Sequence, residues 1–219
     1  MRIKIISTSF DNHEDLKINN HEELKKFNID FSLYNDNNFT SRVNSIKPRT
    51  KSKIPKMLEW ENDENLYDYY IWIDSKFTLN DGIIFELINQ IGKNDLALFK
   101  HPYRDSISKE IEFIEDEINK NNNYLLSRYY GEDFRKQLNI YMTNKKFIDN
   151  KLFACGCFVY SKNLIINREY NLLKEWFYHN MIYSIQDQIS LPYLLQKFNT
   201  NYIIYDFDLL NTNLLNYKN

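Results

Sequence analysis

Short runs of Ile, Leu, Phe and Tyr recur along this chain with helix-patterned stretches between them, and that alternation narrows the fold more than any single motif does. "IKIIST" (3–8), "IDFSLYND" (29–36), "YYIWID" (69–74), "DLALFKHP" (95–102), "LFACGCFVYS" (152–161) and "NYIIYDFDLL" (201–210) read as strands. Between them, "HEELKKF", "SKIPKMLEW", "GIIFELINQI", "SISKEIEFIEDEI", residues 122–140, "NREYNLLKEWFYHNM" and "IQDQISLPYLLQKF" read as helices. Pro55 is expected near the start of the second of these, Asp81 as the cap of the third, and Ser106 or Ser108 as the cap of the fourth. Ile107, Ile111, Ile114 and Ile118 make one apolar stripe on that fourth helix, and Gly131 interrupts 122–140. Strands alternating with helices predict an α/β fold, a mainly parallel sheet flanked by helices. At 219 residues, with no repeat or Gly/Ser hinge, a single domain over 1–219 is expected.

One of these runs ends in chemistry. The strand over 69–73 stops at Asp74, and ligands of open α/β sheets bind beyond the carboxyl ends of the strands. A strand-ending Asx turn explains the same residue without function. Asp36 ends the second strand in the same way.

Other chemistries are excluded. Four glycines, with no Gly-x-Gly-x-x-Gly and no Gly-Lys-Ser/Thr, leave neither a dinucleotide fingerprint nor a P-loop. A Gly-x-Ser-x-Gly elbow is absent too. A net charge of −2 offers no footprint for nucleic acid and no polybasic membrane patch. No apolar run reaches the roughly 18 residues of a transmembrane segment, and a cytoplasmic location is expected. Cys155 and Cys157 are expected on opposite faces of their strand, buried and unpaired. Trp72 and Trp176 are expected in the core, and His179 packed.

Four separated pieces together resemble a family of GT-A-type glycosyltransferases, also described as a domain of unknown function in bacterial polysaccharide loci, viruses and plants. They are "RTKSKIPKMLEW" leading into "YYIWIDSKFTL", then "HPYRDSISKE", then the Trp-containing helix and the Asp-Gln-x-Ser piece of "EWFYHNMIYSIQDQISLPYLL". The fit runs from Thr8 to about Phe198. Two positions depart from the family pattern. The usual Asp-x-Asp is Asp74-Ser75-Lys76, which replaces the second carboxylate with an ammonium, and the Arg of the late motif is Gln186.

The resemblance implies a GT-A-like, Rossmann-related domain that moves a hexose from a nucleotide-diphosphate sugar to a glycan or other hydroxyl acceptor. Such a site must neutralise a departing diphosphate and deprotonate an acceptor hydroxyl. By the resemblance, Thr8, Phe10, Asp11 and Asp36 seat the base and ribose. Arg49 and Lys53 lie near the diphosphate, and Asp74, beside Ser75 and Lys76, holds Mn²⁺ or Mg²⁺. Lys76 can supply that charge directly and make the metal dispensable. His101 and Arg104 contact donor sugar or phosphate, while Glu110 either joins them or pairs with Arg104. Asp187, with Gln188 beside it, is expected to be the base of an inverting displacement. Asp187→Asn should therefore cost transfer and at most about 1 kcal/mol of stability. Locally, Ser184-Ile-Gln-Asp187 also reads as a capping box. A retaining transferase, a catalytically inactive nucleotide-sugar or glycan binding module, and an assembly protein are the other expectations.

Overall fold

Ile-rich and aromatic runs pair where their pattern places them, and helices cover both faces of the sheet they make. The computed structural model describes residues 1–19, 22–39, 46–210 and 212, and the backbone of 215–217. In chain order its first half holds β1 (Arg2–Ser9), β2 (Lys17–Asn19), α1 (Glu23–Lys26), β3 (Asn28–Asn35), α2 (Pro48–Leu58), β4 (Tyr69–Ile73), β5 (Phe77–Asn80), α3 (Ile83–Ile91) and β6 (Leu96–Lys100). The second half holds α4 (Ile107–Asn119), α5 (Asn123–Tyr129), α6 (Phe134–Met142), β7 (Phe153–Ser161), α7 (Leu172–Ile182), α8 (Asp187–Lys197), β8 (Tyr202–Ile204) and β9 (Leu215–Tyr217).

The main sheet has six strands in the order β3-β1-β4-β7-β6-β8, and β2, β5 and β9 form a second sheet. In the main sheet only β7 runs against its neighbours. The carboxyl ends of β3, β1, β4 and β6 therefore share one edge. Alternation along β4 divides the core: Ile71 and Ile73 pack with Ile83, Ile84 and Leu87 of α3, while Tyr70 and Trp72 pack with Met57, Trp176 and Leu191 of α2, α7 and α8. Trp72 and Trp176 are both buried, as expected. The stripe of α4 meets Tyr129, Phe134 and Ile189, and Ser106 caps that helix by accepting from Lys109 N at 3.3 Å. No helix among the described residues is long and apolar enough to cross a membrane.

Several local expectations change. The helix expected from Ser52 begins at Pro48, whose missing N–H costs nothing in a first turn, and Pro55 falls in its last turn. The short strands β2, β5 and β9 carry three or four residues each, too few to show a period. Asp81 does not cap α3, because its carboxylate accepts from the backbone of Glu22 at 2.9 Å. Glu23 of α1 caps it instead, taking Ile84 N at 3.1 Å and Phe85 N at 2.6 Å. Glu23→Ala should then cost about 1–2 kcal/mol, read as a lower urea midpoint with unchanged slope, and an unshifted midpoint would remove the cap.

The two cysteines are free, buried and on opposite faces, but not because of strand alternation. Residues two apart on a regular strand share a face. The register of β7 against β6 shifts between Leu98 and Phe99, and this bulge moves Cys155 to the α2 side and Cys157 to the α3 side.

Candidate functional site

The bulge in β7 faces the turn that follows β4. Asp74 N donates to Gly156 O at 2.8 Å, fixing the residue that closes β4 against the bulge. Its Oδ1 accepts from Trp72 Nε1 at 2.8 Å, and its Oδ2 lies 3.4 Å from Lys76 Nζ. Gly156 leaves room for this arrangement: a Cβ there would stand 3.0 Å from Phe77 Cε2 and 3.3 Å from Asp74 Oδ2. Ser75 is the half-buried residue between them.

Helix α2 brings cations to the same place. Lys53 and Lys56, three apart and so on one face, both donate to Asp187 Oδ2, at 2.7 and 2.6 Å. Lys56 Nζ also donates to Cys155 O at 2.7 Å and stands 5.0 Å from the centre of the Trp72 ring. Asp74 acts electrostatically on both lysines. The two acids singled out in the sequence thus belong to one charged cluster.

Protonation follows from this packing. Lys56 is 3% and Asp187 7% exposed. Burial alone would raise the Asp187 carboxyl, but Lys53 and Lys56 overcome it and hold the group well below the usual carboxylate range. Burial pulls the Lys53 ammonium down against the attraction of Asp187. For Lys56, burial acts in the same sense, yet Asp187 and Asp74 keep the ammonium above its ordinary value.

This geometry bears on three expectations. A carboxylate bound by two ammonium groups is a poor proton acceptor, so Asp187 is not a free base in this arrangement. It is not a capping-box residue either: Ser184 Oγ donates to Gln137 Oε1 at 2.5 Å, and Asp187 is the first residue of α8. Nor does Asp74 suit Mn²⁺ or Mg²⁺. Both its oxygens face protein donors, an ammonium stands where a second carboxylate would be needed, and among the described residues no three acidic, His or Cys side chains gather as ligands.

A second polar group adjoins the first. Arg104 Nε donates to Glu110 Oε2 in a short contact, and Gln186 Nε2 donates to Glu110 Oε1 at 3.2 Å and to Gln188 Oε1 at 2.7 Å. His101 Nδ1 accepts from Arg104 N at 3.0 Å, and burial pushes its imidazole down toward the neutral form. Glu110 therefore pairs with Arg104, which correspondingly is not a free phosphate ligand. A third group lies on the other side of α2. Asp36 Oδ2 accepts from Asp11 N at 2.7 Å and its Oδ1 from Lys51 Nζ at 2.6 Å, contacts that lower its carboxyl, the Lys51 bond most. Asp11 sits at φ 63°, and Asp36 thus braces a turn. Phe10 is buried edge-on against Phe39, which makes it packing rather than an open platform, and Thr8 is half-buried near the end of β1.

Arg49 occupies the first turn of α2, next to Arg128 of α5. Their guanidinium carbons each lie 5.8 Å from the centre of the Tyr124 ring, and Arg128 Nη1 donates to the Tyr124 hydroxyl at 2.8 Å. Burial and then the Arg128 charge lower the Arg49 guanidinium. Lys76 acts on Tyr124, and Asp187 acts on Arg128, so this pair is continuous with the lysine cluster. Lys56, Tyr124 and Arg128 are participants that the sequence reading misses. Lys56 had a signal, its spacing from Lys53; the other two had none. Two surface depressions, one beside Asp133, Arg135 and Lys136 and one beside Met1, Asp68 and Lys162, include no residue of the cluster.

A family model described as a TOD1/MUCI70, glycosyltransferase-like domain matches residues 40–214. No curated protein sequence matches the chain. Similar solved structures include mouse xyloside xylosyltransferase 1 without ligand, at 10% identity over 94% of this chain and 84% of that one, TM-score 0.43. Galactosyltransferase LgtC with donor and acceptor sugar analogues shows 13% identity over 92% and 72%, TM-score 0.42. A 4-diphosphocytidyl-2C-methyl-D-erythritol synthase from Anaerococcus prevotii shows 10% over 93% and 87%, TM-score 0.42. These are likenesses of fold.

Proposed function

The chain belongs to the TOD1/MUCI70 glycosyltransferase-like domain family, and from that membership we propose that it is a glycosyltransferase using a nucleotide-diphosphate sugar, with a hexose as the transferred group and a glycan or other hydroxyl as acceptor. The observation that carries the reading is the charge at the carboxyl edge of β4. Arg49, Lys53, Lys56, Lys76 and Arg128 gather around Asp74 and Asp187, five cations against two carboxylates, an excess of three. A diphosphate leaving group gains negative charge as the glycosidic bond breaks, and fixed cations in a water-poor site stabilise that charge without reorganising.

The inverting route with Asp187 as base has a physical condition. Donor phosphates compete with Asp187 for Lys53, and as that ammonium turns to phosphate it returns basicity to the carboxylate. In this reading Gln188, half-buried beside it, orients the acceptor hydroxyl. The anomeric configuration of the product, read by NMR, tests inversion directly.

A binding module without turnover is the second reading, favoured by the engagement of both Asp74 and Asp187 in the resting arrangement. Incubation with UDP- and GDP-sugars and a panel of glycan acceptors, followed by measurement of free nucleoside diphosphate, separates the two. Acceptor-dependent release is expected. Saturable binding with no release over long incubation assigns the module, and neither binding nor release overturns both.

A further inference from the structure

Two arginines are held side by side around one tyrosine, whose ring and hydroxyl contact them, with no acid between the two. Like charges at this range repel, and the repulsion persists only where something else is gained. Among the described residues neither Arg49 nor Arg128 has an ion-pair partner, whereas Arg104 and Arg135 are each paired with a glutamate. Arg49 Nη1 and Arg128 Nε are in addition buried nitrogens with no hydrogen-bond acceptor. A buried charged N–H left unsatisfied is costly, and its remedy is an acceptor that arrives from outside. The acceptor best suited to two guanidinium forks is a phosphate oxygen set, since each fork can bind two oxygens in its own plane.

We infer that Arg49 and Arg128, with Lys76 at their edge, form the site of the donor's diphosphate and perform there, without a divalent cation, the neutralisation that the Asp74 turn cannot assign to a metal. This rests on the glycosyltransferase reading only in naming the anion as a nucleotide sugar's. The chemistry is consistent with the turn itself. Lys76 stands at the position of the missing second carboxylate, 3.4 Å from Asp74 Oδ2, so a cation from the chain already occupies the flank that a metal would need. Arg49 arrives from the first turn of α2 and Arg128 from α5, and Asp187 acts on Arg128 across the same space.

The test uses inorganic pyrophosphate, titrated calorimetrically into the intact protein in EDTA and again in Mg²⁺. Binding is expected in EDTA, within twofold of that in Mg²⁺ once the pyrophosphate bound by the free cation is accounted for. Arg128→Gln and Arg49→Gln should each weaken it tenfold or more, and Arg128→Lys, which keeps the charge but loses the fork, should fall between. Thermal midpoints of the variants check folding, and any one folded variant decides. Binding that requires Mg²⁺, or glutamine variants that bind as the unaltered protein does, would overturn the inference. Sugar transfer abolished by EDTA also overturns it while leaving the glycosyltransferase reading intact. Metal-free pyrophosphate binding lost in the arginine variants, with no nucleotide sugar processed, upholds the anion site and removes the glycosyltransferase reading instead.

Discussion

Asp187→Asn is expected to destabilise the fold by about 3–5 kcal/mol, because removing the acid from a buried ion cluster leaves the cations uncompensated. Lys53 and Lys56 both donate to the one oxygen, Oδ2, at 2.7 and 2.6 Å, and an amide oxygen would offer them a dipole in place of a charge. Viewed as a helix-start residue alone, Asp187 would cost at most about 1 kcal/mol when changed, so the measurement separates the two accounts. Urea unfolding at neutral pH decides it. A loss under 1 kcal/mol would mean that the cluster contributes little.

The same pairing fixes a pH dependence. The folded carboxyl is depressed, against burial, by Lys53 and Lys56, so its contribution is complete above the ordinary unfolded aspartate value of about 4. It is lost as pH falls from there toward the folded value. Unfolding free energy of the unaltered protein should therefore drop through the acid range, and the Asp187→Asn variant should show a flatter acid limb. Parallel limbs would contradict the depressed carboxyl.

Lys53→Gln should lower kcat/KM for the nucleotide sugar by about a hundred- to a thousandfold, the loss typical of removing one preorganised group facing developing charge. Lys53 rather than Lys56 is the residue to change. Lys56 is held from two sides, by Asp187 Oδ2 and by the Cys155 carbonyl at 2.7 Å, and is sealed against Trp72. Lys53 has Asp187 as its hydrogen-bond acceptor, and burial already lowers its ammonium, so it is the cation that can turn toward a phosphate. Glutamine keeps a donor for Asp187 while removing the charge, and Lys56 still neutralises the carboxylate, so the fold should survive. Activity within twofold of the unaltered protein would exclude Lys53 from the reaction. A fall in unfolding free energy as large as that of Asp187→Asn would mark it as structural.

What could be read from the chain and what could not divide along a physical line. The strands at 69–73 and 153–161, the stripe of α4 with its Ser106 cap, and the break at Gly131 are each specified by residues within a turn or two of one another, because backbone periods of 2 and 3.6 write themselves into neighbouring positions. The family resemblance likewise picked out Asp74, Lys53 and Asp187 as members of one region. Their states were another matter. Asp187 meets Lys53 across 134 positions of sequence, Glu23 caps a helix 61 residues away, and the bulge that separates Cys155 from Cys157 exists only because β7 pairs with β6. Arg128 carries no local mark at all, since its meaning comes from standing beside Arg49. Alternation of strand and helix in the main sheet was settled by local sequence, while the three- and four-residue strands β2, β5 and β9 exist only through their pairing; whether a given acid is a free base, a metal ligand or the counter-ion of two lysines was decided by tertiary packing, because an ionisable group takes its character from the charges and solvent that the whole fold places within a few ångströms of it.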